Sequence, residues 1–530
     1  MRALVAIAAL VLAFDVEARD AVVAKRFLVA AAHPLAAEAG AEILKRGGSA
    51  VDAAIAVQAM LGLVEPESSG IGGGAFMLHW SASEKKLRSY DGRETAPAAA
   101  KPDRFLKSGK PLSFMDAAVG GQSVGVPGVL RMLELAHQRH GRLPWVDLFA
   151  AAIRVGYDGF EPTPKLRAAL EREQHLREDP AARWIYYSGG RIINREYAET
   201  LRAIARGGAR VLYEGDIARD IVLTVRTHAK PGDLTEDDLR NYRALEREPV
   251  CGPYRERRIC SMGPPSSGGI AVLQMLGILE RTSFARAPPE SAGALHLFAE
   301  AGKLAYADRA RYLGDPAFVA VPIQRLLSPA YLEKRAKLVT DKAMPLAPPG
   351  DVEAGTSHFS IVDARGDIVS MTTTIEAAFG SRVMVRGFLL NNQLTDFDFA
   401  PGGANGVAGG KRPRSSMAPT IVFQRNQPIL AVGSPGGSMI INYVAKALVG
   451  TLDWGLDVQA AIALPNFGSR NGPTLMEQNT GLEGRSRELQ ALGHQVESIP
   501  LQSGLHGIER VPQGWRGGAD PRRDGAVRGE

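Results

Sequence analysis

The 530-residue chain has only two cysteines, Cys251 and Cys260, too few to make a zinc site by themselves. No stretch approaches eighteen consecutive apolar residues, which excludes a transmembrane helix. Basic residues (63) barely outnumber acidic ones (57) and are scattered, with no basic run interleaved with aromatics. The net charge of +6 therefore argues for solubility and against nucleic-acid binding. The densest basic cluster, Lys411-Arg412-Pro413-Arg414, reads as a surface loop. The run from Gly70 to Gly74 lacks the lysine and the serine or threonine of a phosphate loop, so it reads as a tight turn. Repeats at solenoid periods are absent as well.

What is present is the composition of a well-packed enzyme: 45% hydrophobic, 23% charged, 58 glycines. Length alone predicts three or four domains. Arg2, twelve apolar residues (3–14) and Val16-Glu17-Ala18 read as a signal peptide over residues 1–18, which makes a periplasmic or secreted protein the expectation. A buried first strand or helix is the rival, because Asp15 stands close to the cleavage point. An exported protein can oxidise Cys251 and Cys260 to a disulfide across the hairpin between them; two buried thiols fit equally well.

His33-Pro34 opens a helix predicted to end at Arg46, and Ser49 with Asp52 caps a second that runs to about Val64. The second is apolar on nearly every face, so it belongs between other layers. A glycine turn then leads into a strand over 75–80. Residues 127–245 read as an outer helical layer, 250–262 as strand, and the stretch to about 312 as helices. From Thr356 to about Val432 the chain reads as strand-rich, with helices at 438–450 and 456–463. Helix, glycine turn and strand in this order predict a layered α/β protein.

The most informative segment is Gly355-Thr356-Ser357-His358. Two β-prone runs, Phe359-Ser360-Ile361-Val362 and Ile368-Val369-Ser370-Met371, flank Asp363-Ala364-Arg365-Gly366-Asp367. A three-residue loop with Gly366 at positive φ pairs Asp363 with Asp367 and brings Thr374 opposite Thr356. The pair has two readings, since threonine is favoured in strands and Thr–Thr pairs also occur in inert sheets. If the chain cuts itself after Gly355, Thr356 gains an amine that serves as its own base. The irregular stretch from Met344 to Gly350 just upstream can be cut without tearing a sheet.

Other candidates are weaker. Gly121-Gln122-Ser123-Val124-Gly125 matches a nucleophile elbow, but Pro127 and Gly128 interrupt the helix such an elbow needs. Glu134, His137 and His140 have helical spacing, yet exposed histidines at a helix end account for them without a metal. Gly433-Ser434-Pro435-Gly436-Gly437 lies between a strand and a helix, where bare amides are the donors an oxyanion hole needs; a plain turn is the alternative.

Taken together, His33-Pro34-Leu35-Ala36, Glu65-Pro66, Ser68 to Gly74, Asp91 to Pro97, Pro264 to Gly269, Leu390-Asn391-Asn392-Gln393, Arg414-Ser415-Ser416-Met417, Ser434 to Gly437 and Ala519 to Arg523 resemble the γ-glutamyltranspeptidase family of N-terminal nucleophile hydrolases. The resemblance implies an α+β fold, a four-layer αββα sandwich formed by two autoprocessed subunits, 19–355 and 356–530. Thr356 would be the nucleophile, with Gly355–Thr356 as the cleavage site and Thr374 holding its hydroxyl. Gly436 and Gly437 would stabilise the oxyanion. Arg93, Ser415 and Ser416 would grip the α-carboxylate of a γ-glutamyl donor such as glutathione, and Gln393 with Asp396 its α-amine. No metal or organic cofactor is expected.

Two departures from the family pattern bear on specificity. Glu376 stands where these enzymes usually carry asparagine, and the stretch from Asp396 to Ser415 is shorter than in members where it forms a lid. A cephalosporin acylase-like amidase acting on glutaryl groups is therefore the alternative. An unprocessed binding protein and a Ser123 esterase rank below both.

Overall fold

The computed structural model describes residues 20–345 and 355–530; the expected signal peptide and most of the irregular stretch before Gly355 lie outside the described residues. Two seven-stranded sheets dominate. In chain order their strands are β1 Val22–Ala24, β2 Leu28–Ala31, β3 Gly74–Ser81, β4 Lys86–Gly92, β5 Leu245–Arg247, β6 Val250–Tyr254 and β7 Arg257–Ser261. These are followed by β8 Gly355–Val362, β9 Ile368–Glu376, β10 Thr420–Gln424, β11 Gln427–Gly433, β12 His506–Val511, β13 Gly514–Ala519 and β14 Ala526–Gly529. The front sheet runs β14-β2-β8-β9-β3-β4-β5 and the back sheet β1-β13-β12-β11-β10-β7-β6, with neighbouring strands antiparallel.

Period-two patterning decides which way each strand faces. Leu28, Ala30, Leu78, Trp80 and Ile368 of the front sheet meet Cys260, Ile421, Phe423, Ala431 and Ile508 of the back sheet in one inter-sheet core. Phe359, Ile361, Val369 and Met371 point the other way, onto helices α1 (Pro34–Lys45) and α2 (Ala50–Val64). Helices α3 (Gly268–Leu279), α4 (Ala292–Tyr312) and α5 (Ile440–Leu452) cover the outer face of the back sheet. The layers are thus αββα. Length did not translate into three or four domains because the added residues thicken one sandwich: each sheet shares a core with the other and with its own helices.

Local chemistry fixes the helix starts as read from sequence. His33 Nδ1 accepts from the Leu35 amide at 3.1 Å, with Pro34 at the first helical position. Ser49 and Asp52 close a capping box at 3.0 and 2.8 Å, and every residue of α2 is buried. Cys251 and Cys260 face each other across β6 and β7 and are joined as a disulfide, which settles the alternative of two thiols.

The β8–β9 hairpin has the expected register, with Thr356 opposite Thr374 and Val362 opposite Ile368. The Asp363 amide donates to Asp367 O at 3.0 Å, and Gly366 sits at φ +84°. Strand β3 packs its glycine-rich entry under β9: a methyl at Gly73 would lie 2.1 Å from Thr374 O. Gly73→Ala should therefore destabilise the protein by about 1–3 kcal/mol, the range for overpacking, seen as a lower denaturant midpoint. Gly293→Ala, in α4 with nothing within 4 Å of the added methyl, should be neutral or stabilising by up to about 1 kcal/mol.

Candidate active site

Strand alternation turns Thr356, His358 and Ser360 toward the back sheet and Ser357, Phe359 and Ile361 toward the helices. Ser360 Oγ accordingly lies 3.5 Å from His506 O of β12, while Ser357 Oγ donates to Glu65 at the end of α2 at 2.7 Å. Thr356 Oγ1 is 3.3 Å from Thr374 Oγ1, which also accepts the Glu376 amide at 2.8 Å. Both threonines line a cavity of about 590 Å³. Arg93, Glu376, Gln393, Asp396, Ser415, Ser416 and Gly437 line it too, whereas Gly436 packs against Tyr443.

A zwitterion-sized set of charges surrounds that space. Arg93 is fully buried: its Nη2 donates to Asp396 at 2.5 Å and to Arg414 O at 3.0 Å, and its Nε to Pro413 O at 3.1 Å. Gln393 Nε2 donates to the same Asp396 oxygen at 2.7 Å. Ser415 and Ser416 are set by the Pro264-Pro265-Ser266-Ser267-Gly268-Gly269 loop: Ser267 Oγ donates to Ser415 O and Ser266 Oγ to Met417 O, each at 2.5 Å. Gly268 allows this approach, since a methyl there would lie 2.4 Å from Ser416 O. Gly436 (φ +128°) and Gly437 (φ +55°) turn the chain from β11 toward α5, and Gly437 borders the cavity.

Glu376, the departure from asparagine, sits at φ +80° with one oxygen held by Asn392 Nδ2 at 2.5 Å and the other buried without a hydrogen-bond partner. Burial, and then the charge of Asp396, push its carboxyl well above the ordinary carboxylate range. Glu94, beside Arg93, is likewise pushed up to about 8 by burial. The acidic wall therefore carries less negative charge than its side chains suggest.

Some expectations need correction. The Lys411–Arg414 cluster is not a surface loop but buried wall: Arg414 pairs with Asp398 at 3.1 Å, Arg412 lies 3.4 Å from Asp91, and Lys411 donates to Ala404 O and Gly406 O at 2.9 Å. Local charge predicts solvent, but acids and carbonyls from other turns of the chain take its place. Ser123 is no nucleophile, since its hydroxyl is buried and donates to Ala118 O at 2.6 Å. Glu134, His137 and His140 do not converge; they bond the Ala209 amide, Leu143 O and Tyr90 respectively. The two histidines are half-buried, not exposed.

The sequence also left residues unread. Arg523 Nη1 donates to Thr356 O at 3.2 Å, bracing the residue from the C-terminal side. Lys165 holds Glu65 at 2.8 Å and Glu67 at 2.9 Å behind Ser357. Arg523 belongs to a motif noted in the sequence, which was the available signal; Lys165 had none. His296, Glu300 and His494 cluster within ligand distance, but Lys303 sits 2.8 Å from Glu300. His296 Nε2 must donate to Thr340 O, which makes its Nδ1 the acceptor for His494 Nε2, and the ring atoms are then all used. That set is a structural tie and does not fit a cation.

The family model described as Gamma-glutamyltranspeptidase matches residues 36–530. The chain is 37% identical to a glutathione hydrolase proenzyme of Bacillus subtilis, covering 96% of this chain and 92% of that one. It is 35% identical to the acylase ACY 1 proenzyme of a Pseudomonas species, over 93% and 91%. The solved cephalosporin acylase of Bacillus halodurans superposes with a TM-score of 0.86 at 29% identity, over 97% of each chain.

Because Glu376 has a raised folded-state value, its stabilising contribution is complete below about pH 4.5, its ordinary value, and is lost as pH rises toward the folded value. Glu376→Gln cannot ionise. Its melting temperature should match wild type near pH 4.5 and exceed it increasingly toward pH 9, as read by thermal denaturation at both.

Proposed function

The chain belongs to the gamma-glutamyltranspeptidase family, and from that premise we propose that it is a self-processing γ-glutamyl hydrolase and transferase working through Thr356. Its donors are γ-glutamyl amides such as glutathione, and the acyl group passes to water or to amino acids and peptides. The observation that carries this reading is the Thr356–Thr374 pair in the wall of a cavity that also holds Arg93, Gln393, Asp396, Ser415 and Ser416.

In maturation, Thr356 Oγ1 attacks the Gly355 carbonyl carbon, and the peptide C–N bond breaks as the hydroxyl proton moves to the nitrogen. Water opens the resulting ester. Residues 19–355 become the large subunit and 356–530 the small one, with residues 1–18 directing export. In turnover the freed α-amine takes the hydroxyl proton as the same oxygen attacks the γ-carbonyl, then passes it to the departing amine. Amides of Gly436 and Gly437 stabilise the oxyanion, worth about 3–4 kcal/mol per donor in hydrolases. Arg93, Ser415 and Ser416 hold the donor's carboxylate, while Gln393, Asp396 and Glu376 face its amine.

One observation favours a second donor class. Asp396 is already paired with Arg93, and burial disfavours the charged form of Glu376, so the amine side attracts an ammonium group less than its two carboxylates suggest. Glutaryl amides, which lack that amine, fit the same space, as in the acylases the chain is similar to.

Thr356→Ala should remain one uncut chain and release no p-nitroaniline from γ-glutamyl-p-nitroanilide; turnover by this variant contradicts the proposal. Thr374→Ala should lose about 10²-fold in kcat, the scale for a misplaced nucleophile, measured on whatever fraction matures. Parallel kinetics with γ-glutamyl and glutaryl p-nitroanilides rank the two donor classes: a rate insensitive to the amine means that Asp396 and Glu376 do not hold it.

A further inference from the structure

The wall of the cavity changes character from floor to mouth. Arg93, Thr356, Thr374, Glu376, Gln393 and Ser415 are buried, whereas Leu112, Phe114 and Phe399 are half-buried and Ala400 is exposed. The half-buried set comes from two segments. One follows a small hairpin, Leu106–Lys107 with Lys110–Pro111, whose turn takes Ser108 (φ +52°) and Gly109 (φ +76°). The other runs on from Gln393 and Asp396. Phe399 stacks on buried Phe105 with ring centroids 4.8 Å apart, and the Leu112 amide donates to Phe105 O at 2.9 Å. Phe105, Leu394 and Phe397 belong to the small core on which Leu112 and Phe399 pack. Phe114 opens the short helix Phe114–Ala118 and lies outside that core, so its ring leaves apolar surface open at the cavity.

The charged groups of the cavity are engaged elsewhere. Arg309 donates to Ser267 Oγ and Ser416 Oγ, both at 2.9 Å, and Arg93 to Asp396 at 2.5 Å, all at the acyl end. Asp398, next to Phe399 in the chain, is paired with Arg414 at 3.1 Å and accepts from Asn405 Nδ2 at 3.2 Å. An acyl chain whose far end lies in the buried part and whose carbonyl meets Thr356 has one direction left for its amine half, toward the open mouth. There the substituent on the amine meets Leu112, Phe114 and Phe399. An apolar substituent gains by leaving water against these side chains, and an aromatic one gains ring contacts as well. A carboxylate on that substituent would lose hydration, with no cation among these three residues to replace it.

We propose that Leu112, Phe114 and Phe399 form the subsite for the leaving amine, and for an acceptor amine that enters by the same route. The subsite selects amines with an apolar or aromatic body over those that carry an acid. The proposal deepens the γ-glutamyl reading of the cavity and rests on it.

The test compares three donors that share one acyl group, γ-glutamyl-phenylalanine, γ-glutamyl-alanine and γ-glutamyl-glutamate, on the mature wild type, Phe114→Ala, Phe114→Leu and Leu112→Ala. Release of the free amino acid gives kcat/KM, which reports the acylation step in which the amine departs. Wild type should prefer phenylalanine over alanine by about 5- to 30-fold, the range for half-burying one aromatic side chain, and should take glutamate least well. Phe114→Ala and Leu112→Ala should each bring the phenylalanine-to-alanine ratio closer to one by about threefold or more, and Phe114→Leu should keep part of the preference. Each ratio is read on one preparation, so loss of folded or processed enzyme cancels. A wild type with no preference for phenylalanine overturns the proposal, as does a ratio that neither alanine variant alters. A wild type that cleaves none of the three donors defeats the reading of the cavity itself, and this shows before any variant is made.

Discussion

Antiparallel pairing of β8 with β9 is the constraint from which the site follows. Because side chains alternate, one register puts Thr356 and Thr374 on the same face, toward the back sheet, and a slip of one residue would put them on opposite faces. The register is pinned at the turn by Gly366 and the Asp363–Asp367 bond, and at the open end by β3, whose glycines let its backbone lie against Thr374. Ser357 and Arg523 then fix the strand start from two further directions, through Glu65 and through the Thr356 carbonyl. The proposed nucleophile, held this way, would need little reorganisation to attack.

Around that hairpin the cavity is a problem in charge balance. Arg93, Arg309 and Arg414 line it with Asp396 and Asp398, while burial disfavours the charged forms of Glu376 and Glu94. The net effect is a wall that welcomes an anion at one end and is undemanding at the other. The chain is similar to both glutathione hydrolases and acylases.

Much of this was legible in the letters because it is local. Helix caps at His33 and Ser49, the hairpin at 363–367 and the breaks near Gly70 and Gly436 are each written within a few residues. The errors concern partners that only the folded chain brings together. Lys411, Arg412 and Arg414 look solvated until Asp91, Asp398 and the carbonyls of the 404–406 loop are brought to them. Stretch 377–419 reads as strand but forms only two-residue strands, since its turns serve the cavity wall. Strands β12 and β13 escaped notice because Gly514-Trp515-Arg516-Gly517-Gly518-Ala519 shows no clean alternation; its glycines allow close packing against β2, β14 and Gln459.

The central claim is that one peptide bond is given up so that the hydroxyl and a new amine share one residue. N-terminal sequencing of the purified wild-type protein tests it most directly. The account predicts two fragments, the shorter beginning Thr-Ser-His-Phe; a fully active enzyme that retains an intact bond between Gly355 and Thr356 would contradict it.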